Sequence, residues 1–234
     1  MHDREGRFAV GIEEGADGGF LAHGLNLPGC AAPGRTAEEA VEGFAAALQQ
    51  WLQFLAFIGE PVPADDAELE AAVDEWLETP ARVGEGETVA CFAADLAPLD
   101  GDEIQSGVHR LGELRGLLLA RIRRRQDAEL DIPAEGGWTV RNILDELARA
   151  QWWLLSRLGS TPMADPGERT VARLDTAMAL VVQHLGHLEP ERRGTRLELD
   201  GEEWTPRKVL RRLLWLEWSL GRAALWALEP AAPR

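Results

Sequence analysis

His184 and His187 stand three apart in a stretch with helical spacing, and a helix would carry both on one side. Glu146 or Glu217 can join them as a third donor, and two imidazoles with a carboxylate suffice for zinc or iron. An ordinary polar helix face accounts for the same residues without a metal, and that is the expectation. Glu13, Glu14 and Asp17 form a second acidic group, close to a strand end, where a magnesium-dependent nuclease would keep clustered carboxylates. They fall in or beside a turn-forming run, so solvated turn residues are expected there. His23 is a lone histidine on a strand and reads as a surface or hydrogen-bonded residue. Cys30 and Cys91 are the only cysteines, too few for a disulfide framework, and both read as buried small hydrophobes.

The elements that must position these residues show themselves through a repeat. Trp138-Thr-Val-Arg-Asn-Ile-Leu-Asp-Glu-Leu continues to Trp152, and Trp204-Thr-Pro-Arg-Lys-Val-Leu-Arg-Arg-Leu continues to Trp218. The offset is 66 residues, and so regular a recurrence implies two corresponding helices of one bundle. Thr139 and Thr205 supply helix caps, and Pro206 occupies a first helical position where its missing N–H costs nothing. Four helices follow from the spacing: one carrying Ile104, Val108, Leu111, Leu114, Leu118 and Ile122, then about 140–158, about 170–188 and about 206–228. Four helices of this length joined by moderate loops make a bundle.

The 234 residues carry a net charge of −16, very unevenly placed. Residues 1–100 hold 20 acidic and 4 basic side chains, a balance of 4 − 20 = −16, whereas residues 101–234 hold 20 of each. That shift implies a domain boundary near residue 100, giving domains 1–99 and 100–234. It also argues against direct nucleic-acid binding by the first half, which phosphate would repel, and suits a basic protein partner. The N-terminus lacks an apolar signal-peptide core and no apolar run reaches membrane-spanning length, so a cytoplasmic protein is expected.

In the first half, Phe8 to Ile12 and Phe20 to Leu25 read as a hairpin around Glu-Glu-Gly-Ala-Asp-Gly-Gly. Thr36 and Glu39 have capping-box spacing, and the helix they open places Val41, Phe44, Ala45, Leu48, Leu52 and Leu55 on one stripe until Gly59. After an acidic stretch, Thr88 to Ala94 is expected to return as a strand. The succession Asp-Gly-Gly-Phe, Leu-Pro-Gly-Cys and Thr-x-Glu-Glu-Ala, over roughly residues 6–63, resembles the HicB-like antitoxin family. The resemblance implies an α+β domain, a small antiparallel sheet plus a helix, that binds and blocks a small basic RNA-cleaving toxin. No helix-turn-helix or ribbon signal accompanies it, so autoregulation on DNA is not implied.

In the second half, Gly137-Trp-Thr-Val-Arg and the run from Gly201 to Trp218 resemble the second- and fourth-helix signatures of the DinB-like family, over about residues 100–230. The resemblance implies an all-α four-helix bundle that in many members holds a divalent metal through three histidines, one on the second helix and two spaced four apart on the fourth. Aligned through the tryptophans, those positions hold Glu146, Leu216 and Leu220 here. Leucine has no electron pair to donate, so a degenerate metal site, no cofactor and two buried leucines are expected. The seven tryptophans of this half are read mainly as packing residues. Trp152 and Trp153 point about 100° apart on a helix, so one of them is expected at an interface. The resulting expectation is a non-catalytic, homodimeric, two-domain interaction or ligand-binding protein. A DinB-like hydrolase or thiol transferase with a rearranged site, or a small-molecule sensor using the vacated bundle pocket, are the alternatives.

Overall fold

The computed structural model describes residues 6–64, 66–134, 136–159 and 169–228. The chain divides into two compact units, one of Met1–Ala97 with Asp200–Glu203 and one of Pro98–Leu199 with Trp204–Arg234.

The first unit is a four-stranded sheet with one long helix. Its strands are β1 (Arg7–Gly15), β2 (Phe20–Gly24), β3 (Ala31–Gly34) and β4 (Glu70–Thr79), in the spatial order β3-β2-β1-β4. β1–β2 and β2–β3 are antiparallel, but β4 joins β1 in parallel, so the sheet is mixed rather than antiparallel. A parallel neighbour needs a long crossover, and α1 (Ala37–Phe57) lies within it. Thr36 caps α1 by accepting from the Glu39 N–H at 3.2 Å. The Glu39 carboxylate does not complete the expected reciprocal box. It accepts from the Arg35 N–H and guanidinium instead, because that ion pair adds charge to the hydrogen bond. The buried stripe of α1 is Ala40, Phe44, Leu48, Trp51, Phe54 and Leu55, so the expected one is rotated: Ala45 is exposed, and Val41 and Leu52 flank the core.

Two further expectations for this unit fail. The acidic stretch contains the fourth strand: Glu70–Thr79 gains its hydrogen-bond partner from β1, and the strand's charges are tolerable because it is an edge. Thr88 to Ala94 is not a strand. It crosses the sheet as irregular chain entering a 3₁₀ turn at Ala93–Leu96, with Thr88, Ala90 and Phe92 buried. The Phe92 ring lies so near β1 that a Cβ at Gly11 would sit 2.6 Å from it, which explains the glycine.

The second unit is a bundle of α2 (Gly101–Ile122), α3 (Val140–Ser156), α4 (Thr170–His184) and α5 (Pro206–Ala227). The caps are those the repeat implies: Thr139 accepts from Asn142 N–H at 3.1 Å, and Thr205 from Lys208 N–H at 3.1 Å ahead of Pro206. Cross-links fix the helix directions. Arg207 pairs with Glu103 near the starts of α5 and α2, and Arg125 reaches the Leu228 carbonyl beyond their ends, so these helices are parallel. Arg141 reaches Thr170 and Arg173 reaches Asp145, so α3 and α4 also run together. Trp153, late in α3, meets Trp204 just before α5, which makes those two antiparallel. The bundle is therefore up-down-down-up. At the α2–α5 crossing a Cβ on Gly107 would lie 2.6 Å from the Leu210 side chain, so the glycine permits close packing. Among the described residues no helix is long and apolar enough to cross a membrane.

Candidate functional site

Both units enclose a polar cluster, and each cluster forms because a polar residue interrupts an otherwise apolar face. In the first unit, hairpin register pairs Gly11 with His23 and Glu13 with Leu21, leaving Glu13 and His23 as diagonal neighbours on one face. Glu13 is fully buried and His23 nearly so, with 3.1 Å between Oε2 and Nε2. Thr88 Oγ1 donates to the same carboxylate oxygen, and Thr79 Oγ1 donates to Oε1 at 3.1 Å. The N–H groups of Val89 and Ala90 also donate to Oε1, at 2.8 and 3.0 Å. Burial alone would raise the Glu13 carboxyl. The hydrogen bond and charge of His23, with the Thr88 hydroxyl and the Val89 N–H, outweigh it and bring the pKa from 4.5 down to about 2.

This corrects the solvated-turn reading of Glu13. Glu14 departs from it too, lying half-buried in β1 and accepting from Trp76 Nε1 at 3.0 Å, whereas Asp17 is exposed in the turn as expected. Asp17 accepts from Gly84 N–H at 2.9 Å and Gly19 N–H at 3.3 Å, so it too ties down the chain beyond β4. His23 is hydrogen-bonded as expected, but inside the unit rather than on its surface. Cys30 is buried and its thiol is pushed up to about 12 by that burial, which makes it inert; Cys91 is half-buried.

In the second unit Arg115, Gln151 and Glu217 meet at the centre of the bundle. Arg115 Nε and Nη2 each donate to a Glu217 oxygen at 2.8 Å, a bidentate pair. Gln151 Nε2 donates to Glu217 Oε2 at 2.7 Å, and Gln151 Oε1 accepts from Arg115 Nη2 at 3.0 Å. Arg115 Nη1 reaches the Leu174 carbonyl at 2.6 Å, so one guanidinium links all four helices. Gln151 and Glu217 are 66 residues apart, the offset of the tryptophan repeat. Antiparallel repeat helices bring equivalent positions together where they cross, and these two are such a pair.

The alignment positions lie elsewhere on the same helices. Glu146 is partly exposed and pairs with Arg149 at 2.7 Å. Leu216 and Leu220 are partly buried, packed against the core rather than enclosed by it. His184 ends α4 half-buried; His187 follows it, exposed, with Nδ1 3.2 Å from the Val182 carbonyl oxygen. Glu217, offered as a third donor for these histidines, has its carboxylate bound by Arg115 and Gln151. Among the described residues no three His, Cys, Asp or Glu side chains come together as a metal site. A small pocket with a cavity volume of about 10 Å³ lies beside the start of α5, lined by Arg157, Arg192, Thr195, Trp204 and Thr205 among others, and neither Leu216 nor Leu220 lines it.

The tryptophans pack less than their number implied. Of the seven in this unit only Trp204 is buried; Trp138 and Trp226 are more than half exposed, and Trp152, Trp215 and Trp218 are intermediate. Trp153 is 38% exposed and stands edge-on to Trp204, with the guanidiniums of Arg157 and Arg212 4.8 and 5.1 Å from its ring centre. Lys208, the only lysine, is buried with its ammonium 4.3 Å from the Trp204 ring centre.

The molecule thus joins a mixed α+β sheet unit to an up-down-down-up four-helix bundle, each with a closed internal polar network. No family model matches the chain, and no curated protein does. A crystal structure of TT2238, described as a four-helix bundle protein, is similar to 53% of this chain over 98% of its own length, with 24% identity and a TM-score of 0.43.

Proposed function

We propose that this chain is a non-catalytic interaction protein, a HicB-like module joined to a DinB-like bundle without the family's three-histidine site. The observation that carries the reading is the Arg115–Gln151–Glu217 network. The polar groups at the bundle centre saturate one another, which suits a structural core better than a reacting site. Leucine at positions 216 and 220 and an ion-paired Glu146 support it. In the first unit, the buried Glu13 carboxylate is likewise engaged, by two hydroxyls, an imidazole and two backbone amides. The strong negative charge of residues 1–100 suits a basic protein partner, and the half-exposed Trp153 suits homodimerisation through the bundle.

Elemental analysis of protein purified without a metal-affinity tag tests the central claim. Well under one divalent metal per chain is expected. A full equivalent of zinc, nickel or iron, lost in His184→Ala, would instead establish the rearranged-site hydrolase or transferase. Light scattering at micromolar concentration tests the dimer, and a strict monomer would remove that part of the reading.

A further inference from the structure

β4 is ten residues long and, among the described residues, has a ladder partner on one side only. Long open edges invite another strand, and proteins commonly guard them with lysine, proline or a bulge. β4 has neither lysine nor proline. It has one bulge: the pairing jumps from Val10↔Val73 to Gly11↔Glu75, leaving Asp74 as the extra residue. Beyond the bulge the register is regular from Glu75 to Thr79.

The bulge has a consequence for the surface. Val73 pairs with Val10 and Trp76 with Ile12, positions two apart on β1, so Val73 and Trp76 share a face although they are three apart in sequence. They are 46% and 48% exposed, and Trp76 is held in place edge-on to Phe20 and by its hydrogen bond to Glu14. Around this apolar strip β4 carries Glu70, Asp74, Glu75 and Glu78 and no positive charge. Asp74 pairs with Arg7 at 2.7 Å and the Glu75 carboxylate accepts from the Ala93 N–H, so Glu70 and Glu78 are the acidic side chains left to meet a partner. Two copies of β4 laid side by side would oppose carboxylates, which destabilises a ladder. A basic strand would meet complementary charge along the same edge.

We propose that the open edge of β4 is a docking site for an extended, basic, β-forming segment of a protein partner, taken up as a further strand of the sheet. Main-chain hydrogen bonds supply the pairing, Val73 and Trp76 receive the partner's alternate apolar side chains, and Glu70 and Glu78 select its cations. The proposal rests on the interaction reading above and names the partner's chemistry and place of contact.

The test uses the full chain and two synthetic peptides matched in length to β4, one alternating lysine with valine and one alternating lysine with glycine. Titration calorimetry gives affinity, and amide hydrogen exchange locates the contact. The lysine–valine peptide is expected to bind at least about tenfold more tightly and to slow exchange of β4 amides. Val73→Lys, at an exposed position, is expected to weaken that binding by at least about tenfold, with β1–β4 exchange in the free protein unchanged. Equal affinity for both peptides would mean charge attraction alone and would overturn the proposal, as would protection confined to other elements or indifference to Val73→Lys. Protection of β4 that rises with protein concentration in the absence of peptide would assign the edge to a second copy and overturn it too. A chain without metal-dependent hydrolase activity whose β4 stays unprotected sinks the docking site and leaves the interaction reading standing. Such an activity sinks the interaction reading whatever β4 does.

Discussion

Two buried carboxylates of this molecule, Glu13 in the sheet unit and Glu217 in the bundle, are stabilised in different ways. Glu13 is surrounded by donors that are mostly neutral, two threonine hydroxyls and two backbone amides, with a single imidazole. Glu217 is neutralised by one guanidinium gripping both of its oxygens, with a glutamine beside it. The difference follows from what each must hold. Residues 88–90 run past the sheet without joining its ladder, and the Glu13 carboxylate accepts the amide protons that a strand would otherwise take. Helices satisfy their own backbones, so the bundle needs only side-chain links, and Arg115 supplies a cross-helix tie. Glu13, with His23 beside it, also replaces the backbone partners that residues 89 and 90 lack, whereas Glu217 is held by a guanidinium alone among charged groups.

If that contrast is right, the largest effect comes from removing Glu217. Glu217→Leu leaves the Arg115 guanidinium buried without its counter-ion, at 4% exposure. The expected loss is about 3–5 kcal/mol of unfolding free energy, read by denaturant titration with circular dichroism. A loss below about 1 kcal/mol would place the pair in the regime of surface ion pairs and break the comparison.

The acid limb of the stability profile comes next. Glu13 ionises at about 2 in the folded chain against 4.5 for the free side chain. Its contribution is therefore complete above pH 4.5 and is lost as the pH falls from 4.5 towards 2. The full span is about 3 kcal/mol by linkage. Glu13→Gln should remove this limb, seen as a flatter dependence of stability on pH in that window. An unchanged profile would show that the carboxylate is not what anchors residues 88–90.

How far these features were legible differs between the units for the same reason. The bundle follows from the 3.6-residue spacing and the threonine caps, signals that lie within each helix. The Arg115 network was also within reach: Arg115 lies on the stripe of Leu111, Leu118 and Ile122, and Gln151 and Glu217 share the 66-residue offset. A polar residue on an apolar stripe, paired with its repeat equivalent, is a readable sign. Leu216 and Leu220, the positions that the DinB-like resemblance implies as ligands, lie one residue before and three after Glu217 on the same helix. In the sheet unit half the cluster was readable, since the hairpin register sets Glu13 diagonal to His23. Thr88 was not, because it joins Glu13 from 75 residues away and no local pattern encodes that approach. β4 was hidden by its own charges: as an edge strand it tolerates Asp74, Glu75 and Glu78, and so it resembles a loop.

A smaller effect separates the hydroxyls from the amides around Glu13. Thr88→Val keeps the side-chain shape, removes one donor and leaves the Val89 and Ala90 N–H bonds in place. A cost of about 1 kcal/mol is expected, the usual net value of one hydrogen bond. Faster amide exchange at residues 88–90 should accompany it. A cost as large as that of Glu13→Gln would mean that the hydroxyl, not the backbone, is the main partner.

The smallest expected change comes from the most extensive substitution. Replacing Arg115 by Met, with Gln151 and Glu217 both replaced by Leu, removes both charges of the network and leaves only the Leu174 carbonyl without its side-chain donor. Desolvating the original pair opposes its attraction, so a well-packed apolar core in its place should be about as stable or more so, within about 1 kcal/mol of the parent at the unfavourable end. Thermal unfolding of the triple variant beside Glu217→Leu isolates the point: the single change destabilises by orphaning a charge, and the triple does not. The Leu174 carbonyl loses its guanidinium donor in the triple variant but remains on α4, where its backbone environment is helical. A triple variant as unstable as the single one would show that the network contributes net stability of its own. The two carboxylates would then be alike in being positively stabilising, and the contrast between sheet and bundle would reduce to geometry.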